Sequence, residues 1–426
     1  MSHSNDPNHV GFIGLGSMGF GMASRLIHCG FQVIGYDIQE KTRIKFSEAG
    51  GSTADSPRAV VELSQCQVLV VMVATAEQAF DVLFDKDSGA AVRLPRDAIV
   101  LLCITAAPDD ATRISHSMSK DLDRGDVMVL DCPVSGGANR AADGSLSILY
   151  SGGDEIPDHA IRVVEALSAH RFHVPGPAGS AFALKMIHQI LVGVHIVAAV
   201  ETTGLAMLAG MDLESLEREV MASSAASWLY GERVPHLRDM DRPPYSSLAI
   251  ILKDLHLVIS AARKARCPLP LSTVTQQTFL AAKGSGLGTH DDCAPVQLYL
   301  GNRKPPVASD TTSTISAKTI QDLLIGTHLA AALEAFSLVD ALGLDRNIFY
   351  KFVLTAAGAS KVFAAFGAID TNDFPPNKFE VAQQIISNLI RALDAVENLQ
   401  CPTPLCSQAL NSLLATLPGH RQASPE

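Results

Sequence analysis

The sequence predicts an α/β domain built on a doubly wound parallel sheet, followed by an all-α region that contains one helical unit twice. Three observations carry this. Between residues 9 and 153, short apolar runs alternate with helical stretches: HVGFIGL (9–15), FQVIGYD (31–37), VLVVMV (68–73), AIVLLCI (98–104), VMVLDCPV (127–134) and SILYSGG (147–153). Nearly continuous apolar strands separated by helices are what a parallel sheet covered on both faces requires. Beyond about residue 178 the strand patterns stop, and helices rich in Ala, Leu and Ile follow. Finally, KMIHQILVGVHIVAAVE (185–201) lies over KTIQDLLIGTHLAAALE (318–334) at an offset of 133, with eight of seventeen positions identical. The register continues from Gly210-Met211-Asp212 to Gly343-Leu344-Asp345, and CPLPL (267–271) matches CPTPL (401–405) at an offset of 134. Matching Gly, His, Asp and Cys-Pro points argue for duplication, because two unrelated alanine-rich helices would share only their apolar residues.

The elements follow in order. The first strand runs into Gly14-Leu15-Gly16-Ser17-Met18-Gly19, and a helix is expected over Met18–Cys29. Between a strand and a helix, these glycines permit a tight turn and close backbone approach. The helix N-terminus would then face a pyrophosphate, as in a Rossmann dinucleotide site. Asp37 ends the second strand, where a carboxylate accepts bonds from an adenosine ribose and repels a 2′-phosphate. NAD is therefore expected over NADP, a preference tempered by Lys41 and Arg43. At the end of the strand over 127–134, Ser135-Gly136-Gly137 offers a hydroxyl and unobstructed backbone N–H groups, suited to a carboxylate. A mostly apolar helix then starts near GPAGSAFALKMIHQ (176–189) and places Lys185, His188 and Gln189 in its first turns. The polar, proline-containing stretch 301–316 reads as a linker. The expected domains are 1–178, the dinucleotide-binding domain; 179–300, a helical domain for substrate binding or dimerisation; and 308–420, its degenerate repeat.

Composition narrows the function. A net charge of −11 disfavours nucleic-acid and anionic-membrane partners. His188, His195 and Glu201 interrupt the longest apolar run, so no membrane span is expected. Eight scattered cysteines without CxxC pairs suggest reduced thiols rather than disulfides or a zinc site. Together with an N-terminus lacking a secretory pattern, this suggests a cytoplasmic protein without a metal.

Four motifs in order, GFIGLGSMGFGMA (11–23), DCPVSGGANRAADGSL (131–146), GPAGSAFALKMIHQ (176–189) and LKDLHLV (252–258), resemble those of the β-hydroxyacid dehydrogenase family. That family includes the relatives of 3-hydroxyisobutyrate and 6-phosphogluconate dehydrogenases, and the resemblance covers residues 10–300. It implies Lys185 as the catalytic lysine and Ser135, Gly136 and Gly137 as the carboxylate cradle. It places Lys253 and Asp254 near the nicotinamide, and Thr105 beside the cofactor. The family's usual Asn four residues after the lysine is Gln189 here, and Arg140 stands where Gly is frequent. Both departures resemble the threonate-dehydrogenase branch, which oxidises four-carbon sugar acids, whereas the duplicated helical region is more like 6-phosphogluconate dehydrogenase.

The expected reaction is NAD-dependent interconversion of a hydroxy acid, such as an aldonate, and its keto acid. Lys185 would take the hydroxyl proton, which near neutrality requires a pKa below the usual ~10.4. Gln189, one turn on, can hydrogen-bond the reacting oxygen. His188 either shapes the substrate pocket or is a satisfied core histidine. A reductive tailoring enzyme acting on a keto acid or imine, and a nucleotide sensor without chemistry, are the alternatives. The second copy has Asp322, Ser387 and Asn388 where the first has Gln189, Lys253 and Asp254. It is expected to be catalytically silent and to pack against the first copy, giving a homodimer or an internal pseudo-dimer.

Overall fold

A computed structural model describes residues 8–239, 246–303, 315–367 and 375–417. Most of the expected linker over 301–316, and both ends of the expected domain 308–420, lie outside the described residues. The chain forms two compact units, Met1–Met186 and Ile187–Glu426, and the second holds the repeat together with the first copy from Ile187 onward.

In the first unit, six parallel strands stand in the order β3-β2-β1-β4-β5-β6. They are β1 (His9–Ile13), β2 (Gln32–Tyr36), β3 (Ser52–Thr53), β4 (Val68–Val71), β5 (Ile99–Leu102) and β6 (Met128–Asp131). Every residue of β4 and β5 is buried, which explains why these runs are apolar throughout rather than alternating. Phe12, Met22, Leu26 and Phe46 pack one face; Val61, Leu83, Ile114 and Met118 pack the other. The order reverses between β1 and β4, so ligands are received at the carboxyl ends of these strands.

The run VMVLDCPV does not make one strand. Pro133 has no N–H to continue a ladder, and the chain breaks there into β6 and β7 (Val134–Ser135). β7 pairs antiparallel with β8 (Leu146–Tyr150), which pairs with β9 (Ser168–His173) in a separate three-stranded sheet. SILYSGG therefore contributes to this small sheet and not to the main one.

The second unit is helical, and its two copies meet through contacts that repeat in mirror order. Glu201 accepts the backbone N–H groups of Leu405 and Cys406 at 3.2 and 2.9 Å. Glu334, its equivalent, accepts those of Leu271 and Ser272, both at 2.8 Å. The equivalent histidines His195 and His328 face each other with ring centroids 4.2 Å apart. Ser227 and Ser360 form an antiparallel bridge, with Trp228 N–H donating to Ala359 O and Lys361 N–H to Ala226 O. Asp212 and Asp345 cap equivalent helices. Gly193 and Gly326 are matched too: a Cβ on either would lie 2.8 or 2.6 Å from Leu255 or Leu389. Both copies thus need glycine where their helices touch.

The helices Ser180–Leu208 and Ala317–Ala341 are long and apolar enough to cross a bilayer by length and composition, although polar residues were expected to keep every apolar run short of that length. Their scattered polar residues barely lower the mean hydropathy over a full window. In each, more than four-fifths of the most apolar window is buried within the protein (89 and 83%), as in a core helix.

Candidate active site

The loop between β1 and the helix Gly19–His28 gives each fingerprint glycine a separate reason. Gly14 has φ +96°, and a Cβ there would lie 2.2 Å from the Met72 carbonyl oxygen. A Cβ on Gly19 would lie 1.9 Å from the Gly14 carbonyl oxygen, so helix and turn can approach only without side chains. Gly16 is the opposite case, with no atom within 4 Å of the Cβ position. Two glycines close the turn, and the third leaves open space over it where a pyrophosphate fits. Leu15 N–H and Gln39 N–H each donate to the Asp37 carboxylate at 2.9 Å, which fixes that acid at the end of β2. Arg43 donates to the Asp37 carbonyl oxygen at 2.8 Å. Thr105 follows the carboxyl end of β5 by three residues, on the edge where the sheet receives ligands. This set fits a dinucleotide.

Ser135 is buried in β7, and Gly136 (φ +143°) and Gly137 (φ +73°) turn the chain immediately afterwards. The Arg140 stem lies against Gly136, where a Cβ would be 2.6 Å from the Arg140 Cδ. Only glycine provides both the conformation and the room.

Asp131, at the end of β6, was not singled out by its sequence pattern. Its buried carboxylate accepts a bond from the Ser151 hydroxyl and, at 2.7 Å, one from Phe182 N–H. Ser151 Oγ in turn accepts Ala181 N–H at 2.9 Å. Together they satisfy two of the orphan N–H groups that begin the helix Ser180–Leu208, and an acid there also suits the helix dipole. Burial pushes the Asp131 carboxyl up, while the bonds from Ser151 and Phe182 pull it down. Lys185, one turn further on, is only 5% exposed.

On the same helix, in the second unit, His188 and Gln189 enter a continuous network. His188 Nε2 accepts Gly358 N–H at 3.0 Å, and His188 Nδ1 lies 3.0 Å from Gln189 Oε1. Gln189 Nε2 donates to Asp254 Oδ2 at 2.6 Å, and Lys253 Nζ pairs with Asp254 Oδ1 at 3.0 Å. Gln189, His188, Lys253 and Asp254 are therefore brought together as a set. Gly358 joins them without having been legible in the sequence. In the second copy the polarity is reversed: Asn388 Nδ2 donates to Asp322 Oδ1 at 3.5 Å, and Lys318 forms an ion pair with Asp322.

Residues 9–176 match the family described as the NAD binding domain of 6-phosphogluconate dehydrogenase. Residues 179–299, and again 314–424, match the family described as NAD-binding of NADP-dependent 3-hydroxyisobutyrate dehydrogenase. The chain belongs to the β-hydroxyacid dehydrogenase family. It is an NAD(P)-dependent hydroxyacid dehydrogenase. An L-threonate dehydrogenase of Cupriavidus necator is 35% identical over 298 residues, 70% of this chain and 98% of the relative. The crystal structure of a 3-hydroxyisobutyrate dehydrogenase from Salmonella typhimurium is 33% identical with a TM-score of 0.63, covering 68% of this chain and 99% of that one. The 6-phosphogluconate dehydrogenase of Plasmodium falciparum covers 97% of this dehydrogenase and 94% of its own chain, with a TM-score of 0.70. At 13% identity that likeness is one of fold alone, and it extends through both helical copies.

Proposed function

We propose that this dehydrogenase oxidises a four-carbon sugar acid of the L-threonate type, with Lys185 as general base and NAD preferred over NADP. The observation that carries the assignment is the contrast between two equivalent lysines. Lys185 is 5% exposed on a helix whose start is pinned by Asp131. The Lys318 side chain is 62% exposed and paired with Asp322. A buried amine can accept and return a proton in a site shielded from water, whereas an exposed one is an ordinary surface cation.

Bound NAD supplies the acceptor for the hydride leaving the carbinol carbon. Ser135, Gly136 and Gly137 hold the substrate carboxylate, with Arg140 beside them. Lys185 takes the proton of the reacting hydroxyl and returns it in the reduction. Gln189, i+4 on the same helix, directs an amide N–H at the reacting oxygen. Its amide nitrogen carries two hydrogens, one of which engages Asp254. His188 stands between Gln189 and the helical repeat, and Lys253 and Asp254 complete the polar set. Similarity to the L-threonate dehydrogenase and the Lys-x-x-His-Gln spacing support the choice of substrate.

The test is a panel of C3–C6 hydroxy acids and their neutral polyols with NAD and with NADP, followed by NADH absorbance. L-threonate should turn over and the polyols should not. Lys185→Ala should lose on the order of 10²–10⁴ in kcat, whereas Lys318→Ala should stay near the parent. A larger loss from Lys318→Ala in a folded protein would overturn the assignment.

A further inference from the structure

The second helical copy reaches the first copy's polar network through the Gly358 backbone N–H, which donates to the His188 ring. We propose that Gly358 is a positioning residue, whose N–H sets the tautomer of His188 and thereby the orientation of Gln189 and Asp254. The catalytic meaning of this rests on the site proposed above; the hydrogen-bond logic stands without it.

A backbone N–H can only donate, so at 3.0 Å it leaves His188 Nε2 without a proton and places the ring hydrogen on Nδ1. Nδ1–H then faces Gln189 and requires the amide oxygen there, at 3.0 Å. With its oxygen committed, Gln189 turns its NH₂ to Asp254 Oδ2, an acceptor, at 2.6 Å. Each of these side chains could lie either way round by itself. The chain has one polarity because a fixed donor closes one end and a carboxylate the other.

Three further features make Gly358 specific. A Cβ there would lie 3.1 Å from His188 Nε2 and Cδ2 and 2.9 Å from Leu191 Cβ, so a side chain would displace the ring. Position 358 lies two residues before the Ser227–Ser360 bridge, whose paired backbone bonds anchor it, and Phe352 meets the His188 ring edge-on at 5.2 Å. The equivalent residues on the other side of the repeat are Ala225 and Gln321, so the glycine–histidine combination occurs only where the first copy needs it. The second copy thus sets the geometry of residues that act in the first.

The experiment uses the full chain. In the parent protein, two-dimensional NMR of ¹⁵N-labelled histidines should show His188 as the neutral Nδ1–H tautomer. An Nε2–H tautomer would overturn the proposal without any variant. Gly358→Ala should lower kcat roughly tenfold, as a small misplacement at a reacting group does, with NAD affinity unchanged. His188→Leu should lose a similar factor, and the double variant should be no worse than His188→Leu alone, because both cut one chain. Multiplying losses, or a parental kcat in Gly358→Ala, would overturn it. Lys185→Ala separates the two readings: full turnover there would remove the assigned site while the tautomer result still judges the link from Gly358.

Discussion

Gly14, Gly16 and Gly19 answer to different neighbours, so substituting them should give different defects. Gly16→Val should fold with a melting temperature near the parent, because nothing stands within 4 Å of its Cβ. It should weaken NAD binding by at least about tenfold, since the side chain fills the space the pyrophosphate needs. Gly19→Val sets a Cβ 1.9 Å from a carbonyl oxygen and should lower the melting temperature instead. Calorimetry and an NAD titration distinguish the two; equal melting temperatures for both variants would contradict the reading. Such glycines are legible in a sequence because they recur at a fixed spacing between a strand and a helix. Gly358 is not, because the ring it serves lies 170 residues earlier and no local pattern records that pairing. Likewise the expectation left His188 between pocket and core, and no sequence pattern records the partners that both its ring nitrogens have.

At the scale of elements, the start of the helix Ser180–Leu208 is held by a group on a strand. Asp131→Ala would leave Phe182 N–H without its acceptor and the Ser151 hydroxyl with only the Pro177 carbonyl oxygen at 3.3 Å. The expected cost is about 1.5–3 kcal/mol, the range for bonds to a charged group. Because Lys185 stands one turn on, kcat should fall too, with NAD affinity kept; unchanged kcat in the folded variant would refute the positioning. Elements buried on both faces, such as β4 and β5, were readable from unbroken apolar runs. β3 is two residues long and β9, SAHRFH, is largely exposed, so neither carries a pattern that hydrophobic periodicity could detect. The break at Pro133 was marked in the sequence, but the apolar residues around it outweighed the missing N–H.

For the molecule as a whole, the paired copies bury two carboxylates between them. Burial raises Glu334 to about 7, against the usual 4.5, with the bonds from Leu271 and Ser272 opposing. Burial raises Glu201 likewise, against its bonds from Leu405 and Cys406. A raised acid binds its proton more tightly when folded, so its stabilisation is full below pH 4.5 and is lost as pH rises through about 7. In thermal unfolding between pH 5 and 8, each acid should therefore contribute a fall in stability of at most about 1.4 kcal/mol per unit. The buried neutral His195 and His328, held below the usual 6.5, oppose that fall at the acid end of the range. Glu334→Gln should flatten that fall in part, leaving the contribution of Glu201. Parallel curves for parent and variant would rule the assignment out.

The bridge between the two copies also has a genetic consequence. In an assembly of identical subunits every substitution is made twice, so a residue cannot serve a reaction in one subunit and scaffold it from the other without compromise. Here the halves are encoded separately and joined by peptide bonds, so their association survives any dilution. Asp322, Ser387, Asn388 and Gly358 can therefore differ from their counterparts Gln189, Lys253, Asp254 and Ala225. On the function proposed above, one copy holds the reaction centre and the other is a dedicated scaffold for it.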